Sequence, residues 1–297
     1  MPILFSIIIP TFNRANFIKN TIESILIQDY ANYELIVVDD GSSDNTKEIV
    51  SGIIQDNSTK KIKYIHQVNS ERGVARNNGL KASSGEYVMY MDSDDTLYQN
   101  HLSVANEFIL NNKYPEVFHL RYDLKNQELK KYGEGPIYKT TANKDLIFGN
   151  FLSCNGVVIR KDIALENQFE ENRAMATVED WHLWLRLAVK YPIHYCNTIT
   201  SSIINHEERS VVITNKDKLI LRFDTFMQSV LSNPSITSYY SKDLNKFKAS
   251  CFSYISLHLA LTGKNKRTAL AYLFKSIKAS KSFLLTKRFF AILRRII

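Results

Sequence analysis

Two short runs, Ser6-Ile7-Ile8-Ile9-Pro10 and Tyr33-Glu34-Leu35-Ile36-Val37-Val38, are apolar at almost every position and rich in β-branched residues. A strand with one wet face alternates in polarity. A continuous apolar run marks a strand buried on both faces, as in a parallel sheet covered by helices. Between the runs, Phe17, Ile18, Ile22, Ile25 and Leu26 recur at helical spacing and predict a helix within 15–29. A helix over 46–54, a strand over 63–66, a helix over 74–82 and a strand over 85–90 follow. This alternation predicts an α/β fold, a central, mostly parallel sheet flanked by helices. Ligands of such sheets bind beyond the carboxyl ends of the strands. Here those ends carry Pro10-Thr11-Phe12-Asn13-Arg14, Asp39-Asp40 and Asp92-Ser93-Asp94-Asp95.

The last of these places three carboxylates within four residues. At the end of a buried strand they repel one another and lose hydration, so a positive partner is expected among them. A hard cation, Mn²⁺ or Mg²⁺, suits oxygen ligands and bridges carboxylates to a diphosphate. The same run also reads as an acidic turn capping a helix over 98–110. No Gly-x-Gly-x-x-Gly follows the first strand and no Gly-x-x-x-x-Gly-Lys-Ser/Thr occurs anywhere, which removes the main support for a dinucleotide dehydrogenase or a P-loop enzyme.

The chain has 297 residues, 44% of them hydrophobic, enough for one large domain and an appendage. No apolar run reaches the roughly 18–20 residues of a membrane-spanning helix. The N-terminus reads as a first strand and not as a signal peptide. Cys154, Cys196 and Cys251 are far apart, without a disulfide or zinc pattern, which suits a reducing compartment. The net charge of +8 is uneven: residues 242–297 hold 13 Lys/Arg and one acid, so the rest of the chain is slightly acidic. A basic tail points to an anionic surface, membrane or nucleic acid.

Four blocks, 6–14, 34–44 (Glu-Leu-Ile-Val-Val-Asp-Asp-Gly-Ser-Ser-Asp), 73–79 (Gly-Val-Ala-Arg-Asn-Asn-Gly) and 85–95, together resemble the nucleotide-sugar-binding half of a GT-A glycosyltransferase of glycosyltransferase family 2. A fifth, Val178-Glu179-Asp180-Trp181, preceded by Phe169-Glu170-Glu171, resembles the family's acceptor-side Glu-Asp motif. The resemblance covers 3–210. It implies a catalytic domain over 1–215, with a nucleotide-sugar half (1–95) and an acceptor half (96–215), followed by a basic helical region over 216–297. It also implies an inverting, metal-dependent transfer of a hexose or N-acetylhexosamine from a nucleotide-diphosphate sugar, UDP-linked by preference, to a glycan or lipid-linked acceptor.

Roles follow residue by residue. Residues Pro10, Thr11, Phe12, Asn13, Arg14, Asp39, Asp40, Arg76, Asp92 and Ser93 fall to the donor side. Asp40 would accept the N3–H of a uracil, or cap a turn before Gly41. Phe12 would stack near the base, or serve the core. Arg76 would reach base or phosphate, or form a surface ion pair. Asp92 would face the donor sugar, and Asp94, with Asp92 and His206, the metal; His206 also reads as a lone surface histidine. Asp95 reads as a cap or supporting group. An inverting transfer needs one carboxylate to take the acceptor's proton. Asp180 sits at the first turn of an apolar helix, whose N-terminus favours a carboxylate, so base and cap both fit it. The resemblance favours the base, with Glu179 in support, and Trp181 either lines the acceptor site or joins the core. Two other classes remain: a nucleotidyltransferase, disfavoured because 10–14 lacks glycine, and a non-catalytic sugar-nucleotide or glycan-binding protein.

The tail is read from its own pattern. Helices are expected over 244–261, ending at Gly263, and over 268–279, as an antiparallel pair. In 285–297 the residues Leu285, Phe289, Phe290, Ile292, Leu293, Ile296 and Ile297 fall within an arc of about 160°, with Lys287, Arg288, Arg294 and Arg295 opposite. That face either lies on an anionic membrane or packs on the preceding helices. Nucleic acid is not expected as a partner. The implied place is the cytoplasm, peripheral at the inner face of the cell membrane.

Overall fold

The computed structural model describes residues 2–207, 215–263 and 265–296. Along the chain run β1 (Phe5–Thr11), α1 (Ile18–Leu26), β2 (Tyr33–Asp39), α2 (Thr46–Asp56), β3 (Ile62–His66), α3 (Arg72–Ala82), β4 (Tyr87–Tyr90), β5 (Thr96–Leu97), α4 (His101–Asn111), β6 (Val117–Asn126), β7 (Lys131–Glu134), β8 (Val157–Arg160), α5 (Lys161–Glu166), α6 (Glu179–Lys190), β9 (Ile193–Asn205), α7 (Lys216–Ser232), α8 (Pro234–Tyr239), α9 (Leu244–Leu261), α10 (Lys266–Ala279) and α11 (Lys287–Ile296). They group into two units. One comprises Met1–Asn143, Phe151–Arg173 and Lys190–His206; the other comprises Lys144–Asn150, Ala174–Val189 and Glu207–Ile297.

The first unit is built on one sheet of order β3-β2-β1-β4-β8-β6-β9-β5, with β7 paired to β6. β3, β2, β1 and β4 are mutually parallel. Every residue of β1 and β2 is buried, as their unbroken apolar runs require. The order reverses between β1 and β4, which makes their carboxyl ends the topological switch point of the sheet. Beyond β4 the sheet is mixed: β8 is antiparallel to β4 and β6, and β9 is parallel to β6.

The structure departs from the expected elements where pairing overrides local pattern. β1 runs through Pro10, which pairs with Val38 on one side only, because the pairing with β4 ends at Ile8–Tyr90; proline is tolerated where a ladder bond is absent. The first helix is shorter than 15–29, since Asn13 takes a positive φ and the chain turns before Ile18. The helix expected from Tyr98 starts at His101, because Thr96 and Leu97 pair with Ser202 and Ser201 of β9. Asp95 is therefore no helix cap: its carboxylate accepts the main-chain N–H of Ile204 at 2.9 Å. The polar segment 130–141, whose glycines and proline read as loop in sequence, contains β7.

In the second unit, α9 spans the expected residues and ends at Gly263 (φ +67°), whose N–H returns to the Ala260 carbonyl. α9 and α10 are antiparallel: Ser256 Oγ donates to Ala269 O (2.7 Å) and Ser276 Oγ to Ala249 O (2.8 Å). The apolar face of 285–297 divides. Ile292 is fully buried with Ala249, Leu273 and Phe283, and Phe289 and Ile296 pack at the edge of that cluster. Leu285 (86% exposed) and Phe290 (61%) face solvent. Leu285 lies in a 3-10 turn, Lys281–Leu285, ahead of α11. Arg288, expected on the solvated arc, is half-buried and donates to Ser253 Oγ at 3.1 Å. Ile297 lies outside the described residues. No described helix is long and apolar enough to cross a membrane.

Candidate active site

The strand ends of the first unit gather the predicted donor-side residues into three groups. At the β2 end, Asp39 is fully buried. It accepts the Ser42 N–H (2.8 Å) and the Tyr64 hydroxyl (2.5 Å). Burial and this hydrogen bond push the Tyr64 phenol above its usual range, so it stays protonated and donating. Asp39 thus fixes the turn at Gly41, whose φ of +82° suits a residue without Cβ. Asp40 is also buried and accepts Gln67 Nε2 (2.7 Å) and the N–H groups of Ser70 (2.7 Å) and Glu71 (2.8 Å). A carboxylate offers about four acceptor directions; three of them here hold the loop that enters α3, leaving one for a ligand donor. The β1 end adds Thr11, buried, whose Oγ1 has no hydrogen-bond partner among the described residues, and Phe12, 45% exposed. Asn13 Oδ1 accepts the Ser43 N–H at 2.9 Å, tying the two strand ends together.

The second group centres on Asp92. Arg76, on α3, is almost wholly buried, with its guanidinium 2.8 Å from Asp92 Oδ1 and 4.9 Å from the Phe169 ring. It is therefore no surface ion pair. A Cβ on Gly73, one turn earlier, would lie 2.6 Å from the Glu170 carbonyl, so glycine permits the close approach of α3 to the 169–171 segment. Asn77 closes it: Oδ1 accepts the Phe169 N–H (2.9 Å) and Nδ2 donates to Phe169 O and Glu171 Oε1, both at 3.0 Å.

The third group centres on Asp94. His206 Nε2 lies 3.1 Å and Arg14 Nη2 3.7 Å from Asp94 Oδ2. His206 is buried and stacks on Phe17 at 4.2 Å, so it is not a lone surface residue. Its position follows from Asp95, which holds Ile204 of β9 two residues upstream. Ser93, between the two acids, is buried.

The donor set was tested against a divalent cation. Two ligands on adjacent octahedral positions, at about 2.1 Å from a metal, sit about 3 Å apart. Asp94 Oδ2 and His206 Nε2 have that separation. Asp92 is turned to Arg76 instead. Among the described residues no group of three or more His, Cys, Asp or Glu forms a protein-only metal site. A cation here would complete its coordination with ligand oxygens and water, as Mg²⁺ commonly does.

In the second unit, Glu179 is buried and Asp180 half-buried at the start of α6. Asp180 Oδ2 accepts Asn150 Nδ2 at 2.9 Å and Oδ1 accepts the Trp181 N–H at 2.7 Å. Trp181 belongs to the core: its ring packs on Phe226 and Phe247, and Nε1 donates to Leu146 O (2.7 Å). Burial pushes His182 down to about 4, so it is neutral at pH 7, with Ser229 Oγ 2.9 Å from Nε2.

The family description "Glycosyl transferase family 2" matches residues 6–165, more than half of the chain and all of the strands from β1 to β8. The chain belongs to glycosyl transferase family 2. Among relatives of this family 2 chain, an uncharacterised glycosyltransferase of Rickettsia conorii is 30% identical over 86% of this chain and 40% of that protein. The chain spans 31–40% of the length of the rickettsial relatives. The UDP-Glc:alpha-D-GlcNAc-diphosphoundecaprenol beta-1,3-glucosyltransferase of Escherichia coli is 31% identical over 80% of this chain and 90% of that protein. Residues 1–349 of TarS from S. aureus, solved in complex with UDP-GlcNAc, superpose with a TM-score of 0.64 at 18% identity, covering 95% of this chain and 91% of that one. The architecture is the GT-A fold, with a C-terminal helical region.

Several residues of this family 2 site carry no sign of their role in sequence. Phe17, Tyr64 and Gln67 look like ordinary residues, and Asn77 shows only as a member of the 73–79 block. Their roles as supports of His206, Asp39, Asp40 and the 169–171 segment come from long-range packing.

Proposed function

We propose that the chain is an inverting, metal-dependent glycosyltransferase that moves a hexose or N-acetylhexosamine from a UDP-linked donor to a glycan or lipid-linked acceptor. The observation that carries this reading is the Asp94–His206–Arg14 group at the switch point of the sheet: an acid and an imidazole spaced as adjacent cation ligands, with a guanidinium beside them. Asp94 and His206 would hold Mn²⁺ or Mg²⁺, and the bound cation would neutralise charge developing on the leaving diphosphate. Arg14 supplies a second positive group for the same phosphates. The remaining acceptor direction of Asp40 suits a uracil N3–H, with Phe12 exposed for stacking. Asp92, oriented by Arg76, faces the donor sugar. Asp180 takes the proton of the acceptor hydroxyl as general base, with its carboxylate oriented by Asn150.

The acceptor class is supported by the Escherichia coli relative, whose name gives a diphosphoundecaprenol-linked substrate. Transfer to such an acceptor would take place at the inner face of the cell membrane, and the exposed Leu285 and Phe290 of and beside basic α11 support this reading. The deciding experiment is a panel of UDP-sugars with polyprenyl-diphosphate-linked sugars as acceptors, reading UDP release and product, with and without excess chelator. Transfer from one donor that stops on chelation, and NMR showing an inverted anomer, is expected. Full activity in chelator, or a retained anomer, overturns the reading.

A further inference from the structure

The second unit contains a cavity of about 320 Å³ with no assigned role. One wall is cationic and much of the rest is apolar. Arg288, half-buried, faces it with Lys246; the rings of Phe148 and Phe283 form its aromatic part, and hydroxyls such as Ser280 and Ser282 line the rest with Ala249. The contacts of Arg288 are all neutral: Ser253 Oγ at 3.1 Å, and Ser250 O and Oγ at 3.4 Å. No carboxylate among the described residues forms an ion pair with it. Burial lowers its pKa, the mark of a charge that the protein leaves uncompensated. A guanidinium carries five N–H donors in a planar fork that matches phosphate oxygens, and among the described residues only Nη1 finds acceptors.

The hydroxyls around Arg288 position it. Ser250 Oγ donates to Phe148 O, Ser253 Oγ to Ser250 O, and Thr286 Oγ1 to Phe283 O, so their protons are committed to the main chain. Ser250 and Ser253 then meet Arg288 as acceptors and fix its direction. Lys246 Nζ lies 3.0 Å from Asp243 and 5.4 Å from the Phe148 ring, so the cationic wall carries two positive groups against one acid. α11 starts at Lys287, and Thr286 and Arg288 at its first turn both line the cavity. A helix N-terminus adds positive potential at that point.

We propose that this cavity binds the phosphate of an amphiphile, a lipid phosphate or diphosphate. The anionic group would sit against Arg288 and Lys246, and the first carbons of the apolar chain against Phe148 and Phe283. A free inorganic anion would leave the aromatic wall without a partner, and a neutral lipid would leave Arg288 uncompensated. The volume lies at the small end of ligand sites, enough for a headgroup and a short length of chain. No residue of the cavity belongs to the donor-side cluster, so binding here is read without any transfer taking place.

The test is calorimetric titration of the full chain with farnesyl diphosphate, dihexanoyl phosphatidylglycerol, inorganic pyrophosphate and farnesol. At least one of the two phosphorylated amphiphiles should bind about tenfold or more tighter than both pyrophosphate and farnesol. Which of them binds identifies a diphosphate or a phosphodiester as the source. Losing one charged hydrogen bond costs about tenfold or more in affinity, so Arg288→Gln should weaken binding by that factor. Lys246→Gln should weaken it severalfold, and Asp94→Asn should leave it unchanged, which excludes the donor side as the site bound. The inference is overturned if neither amphiphile binds, if farnesol binds equally well, or if Lys246→Gln and a folded Arg288→Gln bind as tightly as the parent. Should Arg288→Gln melt below assay temperature, Lys246→Gln decides alone, since its side chain is largely exposed to solvent.

Discussion

The two units hold their charged groups by different means. In the first, Asp39, Asp40, Asp92 and Asp94 lie at the ends of parallel strands or within a few residues of them; Asp39, Asp40 and Asp94 meet partners supplied by strand ends or the loops beyond them, and Asp92 meets Arg76 of the adjoining helix α3. In the second, Asp180 and Arg288 take their partners from distant helices and turns: Asn150 for one, Ser250 and Ser253 for the other. A strand end fixes direction through the sheet itself, so charge is concentrated there with little freedom. A helical bundle fixes it through side-chain packing, so its charges depend on how the helices settle. Function in the first unit should therefore respond to single charges, and the second unit should respond first through packing.

The largest effects should come from the two acids that stand for the two arrangements. Asp94→Asn should lower kcat/KM by roughly 10²–10³-fold, the scale for removing one electrostatic stabiliser, with added metal restoring part of it. Asp180→Asn should lower kcat by roughly 10²–10⁴-fold while calorimetry shows UDP affinity unchanged. If Asp180→Asn loses UDP binding and Asp94→Asn does not, the roles given to the two acids are exchanged.

Packing comes next. Ile292 is the fully buried residue by which α11 joins the cluster of Ala249, Leu273 and Phe283. Ile292→Ala should cost about 2–5 kcal/mol, the range for emptying a buried aliphatic site, read as a lower denaturation midpoint. A change below about 0.5 kcal/mol would mean that α11 is only loosely held in solution.

Acid sharpens the comparison. Burial pushes His101 and His119 of the first unit down to about 4 and about 3, and His182 of the second down to about 4. The ordinary value in an unfolded chain is about 6.5. The unfolded state thus binds more protons between these values, and stability rises with pH across the window. It is complete above about pH 7 and falls on acidification by about 1 kcal/mol per pH unit for each histidine. Burial lowers His258 of the second unit as well, so each unit holds two such histidines. Urea titrations from pH 7 to pH 5 should show both units losing stability on acidification; midpoints that do not move would mean that these histidines are not held neutral by folding.

Legibility followed the same division. Alternating buried strands and helices, with acids at the strand ends, show in sequence because each signal occupies fewer than ten consecutive residues; the parallel half of the sheet and the position of the acids at its strand ends are readable for that reason. For Asp95 the sequence leaves helix cap and supporting group open, because the partner that decides for support, Ile204, is more than a hundred residues away. β7 and the late start of α4 likewise depend on pairing with β6 and β9, which no local pattern encodes. In the tail, periodicity found the amphipathic segment but could not divide its face. A helical wheel treats Ile292 and Phe290 alike, whereas the 3-10 turn at Lys281–Leu285 sets the angle at which α11 meets its neighbours and leaves Phe290 outside.

That divided face gives the smallest effect and a sharp contrast with Ile292. Leu285 and Phe290 are largely exposed, so the double substitution Leu285→Ser/Phe290→Ser should move stability in solution by less than about 0.5 kcal/mol, as for surface positions in general. Each large apolar side chain inserted into a membrane interface contributes up to about 1.5–3 kcal/mol, and each nearby Lys or Arg about 1 kcal/mol. Lys287, Arg294 and Arg295 are exposed beside them. With vesicles containing anionic lipid, the parent chain should co-sediment, high salt should weaken this, and the double variant should remain in the supernatant while keeping its melting temperature. A variant that melts lower without vesicles would show that Leu285 and Phe290 are packed in solution. One that pellets like the parent would show that the membrane is met elsewhere, or by charge alone.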